Sequence, residues 1–261
     1  MRGARVLVDR YRLDGVLGVG GMARVHLGWD LRLRRPVAVK VCTATDEVGV
    51  RRFAHEARTL AALVHPGLVP VYDLAESGPT PFVVMRLLDG GTLRDLLAAG
   101  PLPTGRVREL GARLADALAH VHSRGVVHRD VKPGNVLLDR HGAAHLADFG
   151  LARSADATRL TRVDEVVGTA AYLAPEQIRG EDVGPPADVY ALGLVLLECL
   201  TGRREYGGGV VAAANARLHR PPEVPRDLPA DLVRLLTLMT SLSARRRPTA
   251  DRCARDLSGR P

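Results

Sequence analysis

The feature that most constrains the fold of this chain is a change of hydrophobic period at the triplet Asp89-Gly90-Gly91. Before it, apolar and β-branched residues come in short runs. Tyr11 to Leu17 and Arg24 to Trp29 flank a glycine-rich turn, Gly18-Val19-Gly20-Gly21, and Pro36 to Cys42 makes a third run. Runs of this length broken by glycine predict strands joined by a tight turn. Phe53, Ala57, Leu60, Ala61 and Val64 then recur at helical spacing, with Glu56 at the edge of that face, and His65-Pro66-Gly67 ends the helix. Two further strands are expected near Leu68 to Tyr72 and Phe82 to Leu87. Residues 11–87 therefore read as a five-stranded sheet with one helix. After the triplet the pattern is helical: Val107, Leu110, Gly111, Leu114, Leu118 and Val121 form one stripe, and Val189 to Leu200 and Leu228 to Leu242 are further helices. An irregular segment, 148–186, is rich in Asp, Thr, Gly and Pro, and a loop of that length inside a domain is usually functional.

Two halves of unlike period in 261 residues fit one large domain of two lobes. The longest apolar stretch, Val189 to Leu200, contains Glu198 and is too short to span a bilayer, so no membrane segment is expected. Met-Arg-Gly-Ala-Arg has no apolar run behind it, which predicts no signal peptide. Cys42, Cys199 and Cys253 are scattered and odd in number, without metal-ligand spacing, and fit a reducing, cytoplasmic setting. A net charge of +8 invites a nucleic-acid reading. The arginines are spread along the chain, aromatics make up only 3%, and no nucleic-acid-binding motif occurs, so no nucleic-acid partner is expected and the charge reads as solvated surface.

Of the 37 Lys and Arg side chains only two are lysines. They stand in Val37-Ala38-Val39-Lys40 and in His128-Arg129-Asp130-Val131-Lys132-Pro133-Gly134-Asn135. Lysine is a compact point charge with three rotatable donors, where arginine is a planar fork, and the two are not interchangeable. Both positions suit an enzyme that handles phosphate. The glycine turn suits it too, since glycines let backbone N–H groups approach phosphate oxygens.

In order and spacing, Leu17 to Val25, Lys40, His128 to Asn135, Asp148-Phe149-Gly150 and Ala174-Pro175-Glu176 resemble the catalytic domain of the bacterial, eukaryotic-type Ser/Thr protein kinases, and in particular the actinobacterial ones. The resemblance covers residues 11 to about 257. It implies an α+β, bilobal protein kinase fold: a small β-rich N-lobe with one helix over about 11–87, a hinge at about 86–90, and a larger, mostly helical C-lobe over about 91–257. It implies transfer of the ATP γ-phosphate to Ser/Thr hydroxyls of protein substrates, with Mg²⁺, or Mn²⁺ in its place. Lys40 would contact the α- and β-phosphates and pair with Glu56. Asp130 would accept or orient the substrate hydroxyl proton, and Lys132 would neutralise charge on the transferring group. Asn135 and Asp148 would ligate the metal. Leu17, Gly18, Gly20, Gly21, Val25, Ala38, Met85, Leu88 and Leu137 would complete the ATP site. Thr169, after Gly168, would help position a Ser/Thr substrate. Glu176 would pair with Arg247, and Asp188 would hold the catalytic-loop backbone.

Thr161, with Thr158 behind it, is the candidate for activating phosphorylation, with Arg129 receiving the new charge, and a kinase homodimer could carry out trans-autophosphorylation. The chain departs from the family pattern at Ala23, where a third glycine is usual, at Arg86, where an acid is usual, over 203–222, and at Ser243-Ala244-Arg245, which lacks Asp-Pro. A nucleotide-holding pseudokinase is the competing reading, and it is disfavoured because Lys40, Glu56, Asp130, Asn135 and Asp148 are all present. A small-molecule phosphotransferase of related fold is disfavoured by Ala174-Pro175-Glu176 and the long loop before it.

Overall fold

A computed structural model describes residues 5–148, 171–206 and 209–259. The chain divides into two compact units, 1–89 and 90–261.

The first unit is built on one antiparallel sheet. Its strands are β1 (Arg5–Leu7), β2 (Tyr11–Val19), β3 (Ala23–Asp30), β4 (Arg35–Cys42), β5 (Val71–Ser77) and β6 (Thr80–Arg86), in the order β1-β2-β3-β4-β6-β5. Alternation along β4 decides the rest. Val37, Val39 and Val41 point to one face, where they pack with Leu7, Tyr11, Leu13, Phe82 and Val84. Ala38, Lys40 and Cys42 point to the other. There Cys42, Ala23 and Val83 meet Phe53 and Ala57 of helix α1 (Glu47–Ala61). Asp46 caps this helix, accepting from Gly49 N at 2.8 Å.

The sequence expectation of five strands is corrected to six. Arg5–Leu7 pairs with Leu13–Tyr11 and carries Leu7 into the core. The strand expected at Leu68 to Tyr72 lies later, at Val71–Ser77, because Gly78, at φ 60, and Pro79 make a two-residue hairpin turn between Ser77 and Thr80. Pro70, which has no N–H, stays outside the ladder. Helix α1 stops at Ala61. Val64 is therefore 81% exposed and does not extend the buried stripe.

In the second unit, α2 (Leu93–Leu97) opens with a capping box in which Thr92 and Asp95 exchange hydrogen bonds. Helix α3 (Thr104–His122) buries all six residues of the expected stripe. It packs against α5 (Pro185–Thr201) and α8 (Ala250–Ser258), with α4 (Pro175–Arg179), α6 (Val210–His219) and α7 (Ala230–Met239) completing the unit. Helix α7 is shorter than the expected Leu228 to Leu242, since Pro229 precedes its first turn and the cap is Thr240. The turn Pro133–Asn135 leads into a hairpin of β7 (Val136–Leu138) and β8 (Ala144–Leu146). Among the described residues no helix is long and apolar enough to cross a membrane.

Candidate active site

In the first unit the site grows out of the β4 register. Lys40 lies opposite Val25 on β3 and Val83 on β6, and Ala38 lies opposite Met85. Lys40, Ala38, Val25 and Met85 thus share the face that α1 covers in part. Lys40 Nζ donates to Glu56 Oε1 at 3.1 Å, with the two side chains 14% and 9% exposed. A carboxylate buried on a helix is costly unless paired, so this contact fixes Glu56 and Lys40 together. Val16, Leu17 and Val19 are more than half exposed at the end of β2, where the β2–β3 register shifts. Gly18, Gly20 and Gly21 are exposed as well, and Gly20 N donates to Ala23 O at 2.8 Å to close the turn. Arg86 is exposed, while its backbone N–H donates to Pro70 O at 2.9 Å.

In the second unit a single acid organises the catalytic-type turn. Asp188, 1% exposed on α5, accepts from His128 N at 2.8 Å and from Arg129 N at 2.7 Å, and its Oδ2 also meets His122 Nε2 at 2.8 Å. His128 is fully buried beside Ala147 O, at 3.0 Å, and burial holds its imidazole below the ordinary histidine pKa. Arg129 adopts φ 67, in the left-handed region that non-glycine residues rarely enter, and Asp148 adopts φ 51. Such strain persists only where surrounding bonds over-determine it, as Asp188 does here.

Asp130 accepts from Lys132 Nζ at 2.8 Å and from Asn135 Nδ2 at 3.0 Å, and Asn135 Nδ2 also reaches Asp130 O at 2.8 Å. With its amide nitrogen spent on Asp130, Asn135 presents its carbonyl oxygen as the remaining ligand atom. Among the described residues no cluster of three His, Cys, Asp or Glu could hold a metal ion. A centre resting on Asn135 and Asp148 would need phosphate oxygens to complete it, which is the usual arrangement for Mg²⁺. Glu176 and Arg247 form a buried bidentate pair at 2.6 and 2.9 Å, with Arg247 also over the Tyr190 ring.

The structure thus brings Asp130, Lys132 and Asn135 together on one turn, with Leu137 following on β7, and places Asp148 beyond β8. Leu88 lies in the irregular stretch after β6. Thr158, Thr161, Thr169 and Phe149 lie outside the described residues. Two contacts near the turn had not been foreseen. Tyr172 Oη donates to Glu198, and Arg94 on α2 lies against Gly134. Neither pairing has a local sequence signal, because the partners are 26 and 40 residues apart.

A sheet unit with a paired lysine and glutamate, and a helical unit with an Asp-Lys-Asn turn clamped from below, are the two halves of a bilobal α+β kinase fold. The chain belongs to the protein kinase domain family, whose profile matches residues 11–257. It is 45% identical over 229 residues to the serine/threonine-protein kinase PknB of Mycobacterium leprae, covering 84% of this chain and 37% of that protein. It is 45% identical over 237 residues to PknB of Mycolicibacterium smegmatis, covering 87% and 38%. It is 43% identical over 226 residues to the serine/threonine-protein kinase PknL of Mycobacterium bovis, covering 85% and 56%. The chain therefore spans well under half the length of the PknB relatives. Members of the family use ATP and a divalent metal ion.

Proposed function

We propose that this chain is the catalytic domain of a Mg²⁺-ATP-dependent serine/threonine protein kinase, with Mn²⁺ as a possible substitute. The observation that carries the reading is the turn in which Asp130 receives both Lys132 and Asn135 while the backbone just before it, at His128 and Arg129, is clamped by Asp188. Phosphoryl transfer to a hydroxyl forms one O–P bond, breaks another and releases the hydroxyl proton. Asp130 would orient the hydroxyl and accept that proton. Lys132, a point charge beside Asp130, would offset charge as it develops. In the first unit Lys40, held by Glu56, would take the α- and β-phosphates. Leu17, Val25, Ala38, Met85, Leu88 and Leu137 would offer apolar surface to the adenine, and Gly18, Gly20 and Gly21 backbone to the phosphates. Asn135 and Asp148 would hold the metal ion, which when bound neutralises phosphate charge.

Thr169 is proposed as a substrate-positioning group, and Thr161 or Thr158 as a site of activating autophosphorylation within a transient kinase dimer. Arg129 supports this last proposal. Its Nε is buried with no hydrogen-bond partner among the described residues, which suits it to receive a phosphate. A reducing cytoplasmic location is proposed because all three cysteines are free and buried, and burial pushes the thiols of Cys199 and Cys253 up to about 12.

The test compares Asp130→Asn with Asp148→Asn. Turnover on a protein substrate falls by about 10²–10⁴ in Asp130→Asn while nucleotide affinity, measured by calorimetry, persists. Asp148→Asn weakens metal-dependent nucleotide binding itself. Equal loss of affinity in both would contradict this division of roles. Full turnover in Asp130→Asn would refute the catalytic assignment.

A further inference from the structure

The catalytic-type turn carries a second cation that phosphate chemistry does not need. A Cβ built on Gly134 would meet Arg94 Nη2 at 2.7 Å, Cζ at 3.1 Å and Nε at 3.5 Å. The guanidinium of Arg94 therefore lies close against Gly134, Nη2 foremost, and occupies the space that any larger residue at 134 would fill. Arg94 is exposed, and it sits on α2, which packs against Pro133–Asn135.

Among the described residues no carboxylate forms a salt bridge with Arg94, although the neighbouring Asp95 feels its charge. The acids nearby are already engaged. Asp95, the next residue, accepts from both Thr92 N at 2.9 Å and Thr92 Oγ1 at 2.7 Å. Asp130 is held by Lys132 and Asn135, Asp188 by the loop backbone, and Glu198 by Tyr172 and Arg204. A peptide laid across this turn meets an exposed planar fork of donors beside its acceptor hydroxyl, while the exposed acid next to that fork in the chain, Asp95, has its Oδ2 committed to Thr92. Arginine in that setting matches a carboxylate or a phosphate in bidentate fashion.

We propose that Arg94 is a specificity residue that selects substrates with an anionic side chain flanking the acceptor Ser or Thr. The proposal rests on the kinase reading above and names its substrate class: acidic protein segments, the anion being either Asp/Glu or a phosphate placed by an earlier phosphorylation.

The experiment is a peptide array with one fixed Thr acceptor, in which each flanking position in turn is Ala, Asp, phosphoserine or Arg. The parent chain, Arg94→Ala and Arg94→Glu are compared on it. The parent prefers Asp to Ala at one position by about fivefold in kcat/KM, the scale of one exposed charge pair, and the difference is carried by KM. Arg94→Ala brings that ratio to near one at the same position, and Arg94→Glu turns the preference toward Arg. A phosphoserine ratio above the Asp ratio assigns the contact to primed substrates, and a lower one assigns it to unmodified acidic segments. In either case the ratio must vanish in Arg94→Ala. Acid preference that survives Arg94→Ala, or a parent chain indifferent to acid at every position, overturns the proposal while leaving the kinase reading in place. A parent chain that phosphorylates neither peptides nor itself refutes the kinase reading, and the substrate class falls with it.

Discussion

The two units hold their functional side chains in different ways. In the sheet unit Lys40 stands on a strand and Glu56 on a helix, and one 3.1 Å contact joins them. In the helical unit Asp130 sits on a turn whose backbone is tied to Asp188 by two bonds and whose side chain meets two donors. A small slide of α1 would lengthen the first contact. The second cannot open without breaking several bonds at once, one of them at a residue already held at φ 67. The comparison predicts that loss of the multiply tied unit costs more stability than loss of the Lys40–Glu56 contact, and stability measurements should tell them apart.

The largest effect is expected deep in the helical unit. Arg247→Leu leaves Glu176 charged and buried, which costs about 3–5 kcal/mol, read as a lower urea midpoint. If Arg247→Leu unfolds at the parent midpoint, the fixed character of that unit is not set by its buried ion pair. Next comes Lys40→Met. Its partner Glu56 is only 7% exposed and would lose that cation. The variant should lose about 1–3 kcal/mol, and Lys40→Met with Glu56→Gln should recover most of it. A double variant no more stable than the single one would show that the pair does not anchor α1.

A third prediction uses pH. His128 is held neutral by burial, so its folded pKa lies below the unfolded value of about 6.5. Above that value both states are neutral and stability is complete. As pH falls below it the unfolded chain binds a proton that the folded chain refuses, and stability declines by up to about 1.4 kcal/mol per pH unit. Chemical unfolding at pH 7.5, 6.5 and 5.5 should show this slope in the parent and a flatter one in His128→Gln; equal slopes would clear His128 of the effect. The smallest effect is at the entrance to α2. Thr92→Ala removes the cap that accepts from Asp95 N and costs about 1 kcal/mol, visible in thermal melts.

Much of this molecule was legible in its sequence because local rules govern it. The β2, β3 and β4 strands and the stripe on α3 follow from hydrophobic period, and the Asp130-Lys132-Asn135 turn from the family resemblance its motif carries. What was not legible depends on distant partners. Arg5–Leu7 is too short to signal a strand and exists because β2 offers it an edge. Val64 keeps the helical period but falls after the helix has ended, and period alone cannot say where a helix stops. Arg94 carries no sequence signal, and only its approach to Gly134 sets it beside the Asp130-Lys132-Asn135 turn.

The scarcity of lysine has a practical corollary. Within this chain the only ε-amines are those of Lys40 and Lys132, 14% and 16% exposed and each bonded to a carboxylate. A lysine-directed reagent can therefore modify only these two side chains, the ones proposed to handle phosphate. Such reagents can test the proposed site: if nucleotide binds there, it should protect Lys40 and Lys132, and peptide mapping would read that protection one side chain at a time. For attaching this chain to a surface, the thiols and amines are both poor handles, and its many guanidinium groups are the ones left facing solvent.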